Sequence, residues 1–245
     1  MRVRSVALLS CLIVASPAGV AVAADLPPIA ARLLTSATPT VWDGFYFGAT
    51  VGWAFGSAQG DYTGARPPPP PPPPTPAMVF YTFDLNPSGP LAGVYFGYAR
   101  QNGLWVYGIE GDLSAVFGAH DRAFDPAGSG RYDEVEVLWS GHVRGRIGRL
   151  IDAYLIYVGG GLALASVKAS HFAPGVQLWS QTDIRAGYSI GTGVERAFGP
   201  WRLRAEYLFD WFANKRFDWV AGSRYSNSDL SLHTVRIGLA RRIGP

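Results

Sequence analysis

A period of two dominates the pattern of hydrophobic and polar positions after residue 43. In residues 44–56 (GFYFGATVGWAFG), apolar side chains alternate with small or polar ones. This period is typical of β-strands whose two faces meet different surroundings. The apolar face holds Phe45, Phe47, Ala49, Val51, Trp53 and Phe55, and the other face holds Tyr46, Gly48, Thr50, Gly52, Ala54 and Gly56.

The same pattern predicts eight strands, each of 10–16 residues. Strands of globular proteins usually have about 5–6 residues, whereas strands that cross a bilayer at a tilt need about 9–11. The predicted strands therefore favour a membrane protein. They span residues 44–56, 90–99, 103–118, 135–149, 153–168, 183–197, 201–213 and 231–243.

The predicted connections alternate between short and long. The short links are residues 100–102, 150–152 and 198–200; the long ones are 57–89, 119–134, 169–182 and 214–230. Short turns at one end and long loops at the other are typical of outer-membrane barrels, with the short turns in the periplasm. The prediction is an all-β fold, an eight-stranded antiparallel up-and-down transmembrane β-barrel.

On the predicted strand 135–149, the same period places Val137, Trp139, Val143 and Ile147 outward and His142, Arg144 and Arg146 inward. Charged side chains fall on this second face of several predicted strands. An arginine that faced lipid at the bilayer midplane would destabilise the barrel by about 2–4 kcal/mol. These charged residues are therefore predicted to face the barrel interior. The acidic members are Glu110, Asp112, Glu195, Glu206 and Asp210, and the basic members are Arg144, Arg146, Arg202, Arg204 and Arg236.

This inward set has two interpretations. It lines a pore for small solutes, or it is a paired polar core that fills a narrow barrel. An eight-stranded barrel has an interior just wide enough for side chains to fill. Five acids and five arginines also suit a closed network better than an ion-selective pore, which favours a ring of one sign. The balance favours the filled barrel.

The first 23 residues have the layout of a secretory signal peptide. Arg2 and Arg4 precede an uncharged stretch, and Ala21-Val22-Ala23 forms a small-x-small cleavage site. Residues 24–43 are then predicted to be a flexible periplasmic lead, and residues 44–245 the barrel. Cleavage would also remove Cys11, the single cysteine, so the remaining chain could form no disulfide.

Composition excludes several classes of protein. The chain is 48% hydrophobic and 16% charged, which argues against disorder and against a coiled coil. The net charge of +3 suggests nucleic-acid binding at first sight. Removal of Arg2 and Arg4 from the 21 basic residues leaves 19 against 18 acidic ones, a net charge of +1. We therefore predict no nucleic-acid partner.

Catalytic and ligand-binding patterns are weak. The four histidines, His120, His142, His171 and His233, have no metal-ligand spacing. Ser231 and His233 share one face of a predicted strand. An outer-membrane lipid deacylase would use a Ser/His pair oriented by an acid, but no acid can be assigned to this pair. The eight-proline run at residues 67–74 suits polyproline II and is interpreted as a stiff spacer rather than a protein-binding motif.

The sequence blocks together resemble the outer-membrane β-barrel (opacity-like porin) family, in its alpha-proteobacterial immunogenic-protein branch. The resemblance rests on AADLP, WDGFYFGATVGWAFG, GLWVYGIEGDLS, HVRGRIGRLIDAYLIYVGGGLA, GTGVERAFGPWRLRAEYLF and LHTVRIGLARRIGP. It implies a cell-outer-membrane barrel with a structural or antigenic surface role, or weak porin activity, with no cofactor, no metal and no catalytic residues.

The resemblance also implies two partners, outer-membrane lipid and the barrel-insertion machinery; a surface-loop partner and the oligomeric state are not implied. Family members usually end on an aromatic residue that this machinery reads, whereas this chain ends Arg241-Arg242-Ile243-Gly244-Pro245. The sequence thus predicts a surface-exposed structural barrel, with a narrow porin as the alternative and a lipid-modifying enzyme as a third, less favoured function.

Overall fold

The structure, a computed structural model, describes residues 41–64, 78–124, 130–220 and 224–243. Nearly all of these residues lie in nine β-strands. No helix able to span a membrane was found in this part of the chain. The strands are β1 (Gly44–Gly64), β2 (Met78–Leu85), β3 (Ser88–Asn102), β4 (Trp105–Phe124), β5 (Tyr132–Ile151), β6 (Tyr154–Ala173), β7 (Val176–Phe198), β8 (Trp201–Val220) and β9 (Arg224–Ile243).

The strands close into one antiparallel ring, because β1 pairs with β3 on one side and with β9 on the other. β2 also pairs with β1, beyond the end of β3, and only Asn86 and Pro87 separate the two segments. Proline has no N–H to donate to a strand ladder, which accounts for the interruption. Since β2 and β3 act as one interrupted strand, the ring is the predicted eight-stranded up-and-down barrel.

One end of the barrel carries three two-residue turns and is called here the short-turn end. The turns are residues 103–104, 152–153 and 199–200, and each begins with a residue in the left-handed region: Gly103, Asp152 and Gly199. This conformation matches the twist of paired antiparallel strands in tight hairpins. Each turn is one residue shorter than the predicted three-residue link. The prediction for the first link was wrong, because residues 100–102 are strand and the turn lies at 103–104, where a strand was predicted to begin.

The opposite end, called here the long-hairpin end, differs from the sequence expectation. The described parts of the four long connections predicted as loops are mostly strand, because neighbouring strands continue to pair beyond the predicted boundaries. Residues 169–182, for example, form a continuous hairpin with a turn at Pro174 and Gly175. The predicted signal peptide, most of the lead and the proline run 67–74 lie outside the described residues.

Large apolar side chains cover the outer wall of the barrel. On β9, Val235, Ile237 and Leu239 are each about half exposed, and the alternate residues are buried inside. The same alternation holds on β1, β3, β4, β7 and β8. The period of two therefore places apolar residues outward, as the sequence predicted.

Val137 is an exception, because the sequence predicted it outward with Trp139 whereas it is buried in the interior. The β5–β6 register shifts between these two residues, and the β4–β5 register shifts between Ala115 and Ala119. A β-bulge inserts an extra residue and exchanges the faces on either side of it. The prediction for Val137 was wrong because a strict period of two was carried through a bulge.

The interior contains two apolar clusters separated by a charged layer. The upper cluster, towards the long-hairpin end, comprises Ala54, Ala58, Leu85, Leu91, Val116, Ala119, Val135, Val137, Ala163, Ala165, Val167, Phe212, Leu230 and Leu232. The lower cluster, towards the short-turn end, comprises Trp42, Tyr46, Tyr95, Ala99, Val106, Leu150, Leu155, Tyr157 and Ala240.

Candidate functional site: the charged interior

The structure places all ten predicted charged residues inside the barrel. Nine are buried, and Arg146 is half-buried with a side chain that is only 8% exposed. They come from β4, β5, β7, β8 and β9, because each lies on the face opposite the outward apolar residues. These ten residues and their hydrogen-bond partners are called here the ionic layer.

Glu110 lies at the centre of the ionic layer. Its carboxylate accepts hydrogen bonds from Arg146 Nη1 at 2.8 Å and from Arg204 Nη1 at 2.7 Å, and it lies 3.2 Å from Arg144 Nη2. Tyr46 donates its hydroxyl to the same carboxylate at 2.8 Å. One buried acid therefore contacts three guanidinium groups from two other strands, and Glu195 and Glu206 supply further negative charge to the same arginines. Bonds between ionised groups of this kind are among the strongest in proteins.

Arg236 of β9 bonds acids of two other strands, β4 and β8. It donates Nη1 to Asp112 at 2.9 Å and Nε to Glu206 at 2.8 Å. Glu206 also accepts from Arg144 Nη1 at 2.9 Å and from the Tyr157 hydroxyl at 3.0 Å. The last strand is thus tied to β4, β5, β6 and β8 through one connected network.

His142 completes the upper edge of the ionic layer. Its Nδ1 lies 2.8 Å from Asp112 and its Nε2 lies 3.0 Å from Asp210. An ionised carboxylate only accepts hydrogen bonds, so both contacts are satisfied when the imidazole is doubly protonated. The sequence placed His142 on the inward face but assigned it no role; its position two residues before Arg144 was the available signal.

The lower arginines lie against aromatic rings. The Arg204 guanidinium lies 3.6 Å from the centroid of Tyr95, and Arg202 lies 5.1 Å from that of Trp42. Arg202 also donates to the Val41 carbonyl at 3.1 Å. Guanidinium groups stack favourably on aromatic faces. These rings, which sequence reasoning did not include in the site, close the ionic layer towards the short-turn end.

Three interior tyrosine rings fit only because a glycine lies beside each. A Cβ on Gly193 would come within 2.5 Å of the Tyr157 hydroxyl oxygen, and a Cβ on Gly48 would come within 2.6 Å of Tyr95 Cζ. Tyr46 overlies Gly97 in the same way. Glycines of the wall therefore supply the space for these three rings, and the hydroxyl groups of Tyr46 and Tyr157 donate to carboxylates of the ionic layer.

Replacing Gly193 with alanine is expected to lower the free energy of unfolding by about 1–3 kcal/mol, the usual cost of overpacking. The new methyl group would displace Tyr157 from Glu206. Urea unfolding of the refolded protein measures the loss. Gly160→Ala is the control, because a Cβ there meets nothing closer than 3.5 Å; an equal loss in both variants would contradict the packing argument.

The ionic layer is bounded by apolar residues above and below among the described side chains. Towards the long-hairpin end, Phe212 and Leu230 are fully buried, and towards the short-turn end Trp42 and Leu155 are buried. The interior of this part of the chain therefore consists of an apolar layer, a charged layer and a second, aromatic-rich apolar layer.

The other candidate residues do not gather into a site. His233 faces outward, and its Nδ1 lies 2.6 Å from the Tyr207 hydroxyl oxygen. His171 lies 2.7 Å from Asp133 on the β5–β6 hairpin. Within the described ranges no group of three or more potential metal ligands occurs.

One exposed ion pair marks the long-hairpin end. Arg122 Nε donates to Glu134 at 2.6 Å across β4 and β5. This hydrogen bond raises the pKa of Arg122 above its usual value. The pair lies in a region that the sequence had predicted as loop. It is an exposed arginine–glutamate pair, whereas those of the ionic layer are buried.

These features define a class, the outer-membrane β-barrels: a closed antiparallel ring, an apolar outer wall and a charged interior. The 31 kDa outer-membrane immunogenic protein of Brucella melitensis is 30% identical over 206 residues, covering 81% of this chain and 82% of that protein. The 22 kDa outer membrane protein of Rhizobium leguminosarum bv. viciae is 32% identical over 148 residues, covering 60% of this chain and 63% of that protein.

The chain belongs to the family of alpha-proteobacterial outer-membrane immunogenic proteins, and it is a protein of the cell outer membrane. This confirms the resemblance and the localisation inferred from sequence. No family model matches the sequence. Among solved structures, the outer membrane protein OprG from Pseudomonas aeruginosa aligns with a TM-score of 0.47 and 11% identity, covering 82% of this chain and 98% of OprG.

Proposed function

We propose that the protein is a closed, non-conducting barrel that has a structural role in the outer membrane and presents its long hairpins at the cell surface. The observation that carries the proposal is the filled interior. Glu110 and Arg204 are almost completely buried, and apolar clusters lie on both sides of them. Water-filled porins need more strands to leave an open channel.

The orientation of the barrel in the membrane follows from the difference between its short-turn end and its long-hairpin end. Short turns face the periplasm in outer-membrane barrels, so the long hairpins face outward. The apolar wall then contacts lipid acyl chains. Relatives are named immunogenic proteins, which supports an antigenic surface for the hairpins of this chain.

A narrow porin remains the alternative function, and planar-bilayer recording tests it. We expect the purified, refolded protein to give no stable unit conductance steps, because Arg144, Arg204 and Arg236 fill the cross-section with paired side chains. A conducting sixteen-stranded porin in the same bilayers is the positive control. Reproducible unit steps from protein that shows heat-modifiable gel migration would overturn the proposal.

We also propose that the protein has no catalytic activity. Ser231 and His233 lie on one face of β9, but the described partner of His233 is the Tyr207 hydroxyl rather than an acid. A hydrolytic triad needs a buried acid to orient the imidazole. The names of the curated relatives, which are outer-membrane proteins, support the same view.

A further inference from the structure

An apolar groove runs along the outer wall from β3 to β7. Arg146 of the ionic layer is among the residues that line it, although its side chain is only 8% exposed. The volume of the groove is about 720 Å³. It is called here the Gly145–Gly160 groove, after the two glycines at its floor. Its walls are Tyr98, Tyr107, Ile109, Ile147, Val158 and Ile190.

The groove exists because two outward positions on neighbouring strands lack side chains. Gly145 of β5 pairs directly with Gly160 of β6, and both face away from the interior. A Cβ on Gly145 would meet nothing closer than 4.0 Å, and one on Gly160 nothing closer than 3.5 Å. Neither glycine is thus required by packing, in contrast to Gly193. Ile147 and Val158 border the floor on one side and remain about half exposed.

A cation marks the short-turn end of the same groove. Arg100 of β3 lines the groove, and it pairs across the sheet with Tyr107 of β4. The described residues hold no carboxylate within ion-pair distance of Arg100. The outer wall therefore offers an apolar channel that ends in a positive charge.

The position of Arg100 corresponds to the level of lipid head groups. From Pro90 to Tyr98 every outward residue of β3 is apolar. The ten residue-to-residue steps from Pro90 to Arg100 span about 33 Å along the strand at about 3.3 Å each, which is about 25 Å along a tilted barrel axis. This equals the usual height of the apolar band, so Arg100 lies at its edge.

Other arginines share this end of the barrel and lie over aromatic rings. The Arg149 guanidinium lies 5.9 Å from the centroid of Trp105, and that of Arg241 lies 5.8 Å from Trp201. Arginine and aromatic residues of this kind are typical of the membrane interface. Arg241 lies below Ile237 and Leu239, which fill the wall, and it does not line the groove.

We propose that the Gly145–Gly160 groove is a binding site for an anionic phospholipid, with an acyl chain in the groove and the phosphate at Arg100. An acyl chain matches the apolar walls and the glycine floor of the groove, and a phosphate matches an exposed guanidinium. A protein partner at this site would need about 1,000 Å² of complementary surface, whereas the groove accommodates one narrow chain. The proposal concerns the outer wall and holds whether or not the barrel conducts.

Native mass spectrometry of the refolded full chain in detergent tests the site with dioleoylphosphatidylglycerol as the probe. We expect one retained lipid and a dissociation constant about fivefold weaker in Arg100→Gln, the usual effect of one basic side chain at an anionic membrane surface. Gly145→Leu and Gly160→Leu fill the groove and are expected to weaken retention similarly. Dioleoylphosphatidylcholine is expected to bind more weakly than the anionic lipid, and glycerol 3-phosphate not at all.

Two matched controls separate this site from general lipid contact. Arg241→Gln removes a similar charge at the same end, and Gly111→Leu adds the same bulk at an outward, open position of β4 that does not line the groove. Both are expected to retain the lipid as the original chain does. The proposal is overturned if these controls lose as much affinity as Arg100→Gln and Gly160→Leu, or if the latter two variants bind unchanged. Equal binding of glycerol 3-phosphate would overturn the acyl-chain site, and a dimer in place of the lipid adduct would show a protein occupant.

Discussion

Replacing Glu110 with glutamine is expected to lower the free energy of unfolding by about 3–5 kcal/mol, the cost of removing one partner from a buried ion pair. The substitution keeps the shape of the side chain but removes the negative charge beside Arg144, Arg146 and Arg204. These guanidinium groups cannot lose their protons, so they would stay charged and partly unpaired in the interior. Urea titration of refolded protein, with linear extrapolation to water, measures the loss.

Glu134→Gln is the matched control for this prediction. It makes the same chemical change, but its partner Arg122 is exposed at the long-hairpin end. Surface pairs contribute little to stability, so we expect no measurable change. The importance of the ionic layer would be refuted by a Glu110→Gln variant as stable as Glu134→Gln.

Replacing Phe212 with alanine is expected to lower the free energy of unfolding by about 3–5 kcal/mol, because the substitution leaves a cavity in the upper apolar cluster. Phe212 is completely buried, and it belongs to the same cluster as Leu230 and Leu232. The ring also packs beside Gly187, where a Cβ would lie 2.9 Å from Phe212 Cδ1. The same urea titration measures the effect.

Phe212→Leu separates cavity formation from loss of the aromatic ring. Leucine refills most of the space, and we expect it to lose less than about 1.5 kcal/mol, as other swaps of similar volume do. If leucine and alanine were equally destabilising, the cause would lie in the ring and not in the volume. If both were neutral, the upper cluster would not be a packed core.

The alternation of the sequence was sufficient to place the ten charged residues of the ionic layer. A charge on β8, such as Arg204 or Glu206, has apolar neighbours at both adjacent positions, so its face is fixed by the cost of exposing it to lipid. The period of two is a local property of a strand and can be read without knowing the partner strands. The number of strands and the up-and-down order followed from the same pattern.

The pairing inside the layer could not be predicted, because it depends on the register between strands. Glu110 contacts Arg204, 94 residues later, and nothing in either local sequence specifies that distance. The bulge near Val137 and the role of His142 were missed for the same reason. The upper apolar cluster was also missed, because members such as Leu85 and Leu230 lie in stretches that were predicted as loops.

The strand ends were the least predictable part of the fold. Residues 119–134 contain several charges and no clear apolar stripe. Residues 119–124 and 132–134 still form strand, because β4 and β5 continue their backbone hydrogen bonds up to Phe124 and Tyr132. Outside the apolar band both faces of a hairpin can be polar, so the hydrophobic signal weakens although the backbone pairing does not.

The contact between Arg236 and Asp112 links residues 124 positions apart, and it forms only when β9 closes against β1. Before closure, Asp112 of β4 lacks the guanidinium group of Arg236. Assembly of the charged layer and closure of the ring are therefore the same event in folding. A partly closed sheet would carry unpaired charge that the hydrocarbon region does not tolerate, so the barrel is expected to enter the membrane and to unfold as one cooperative unit.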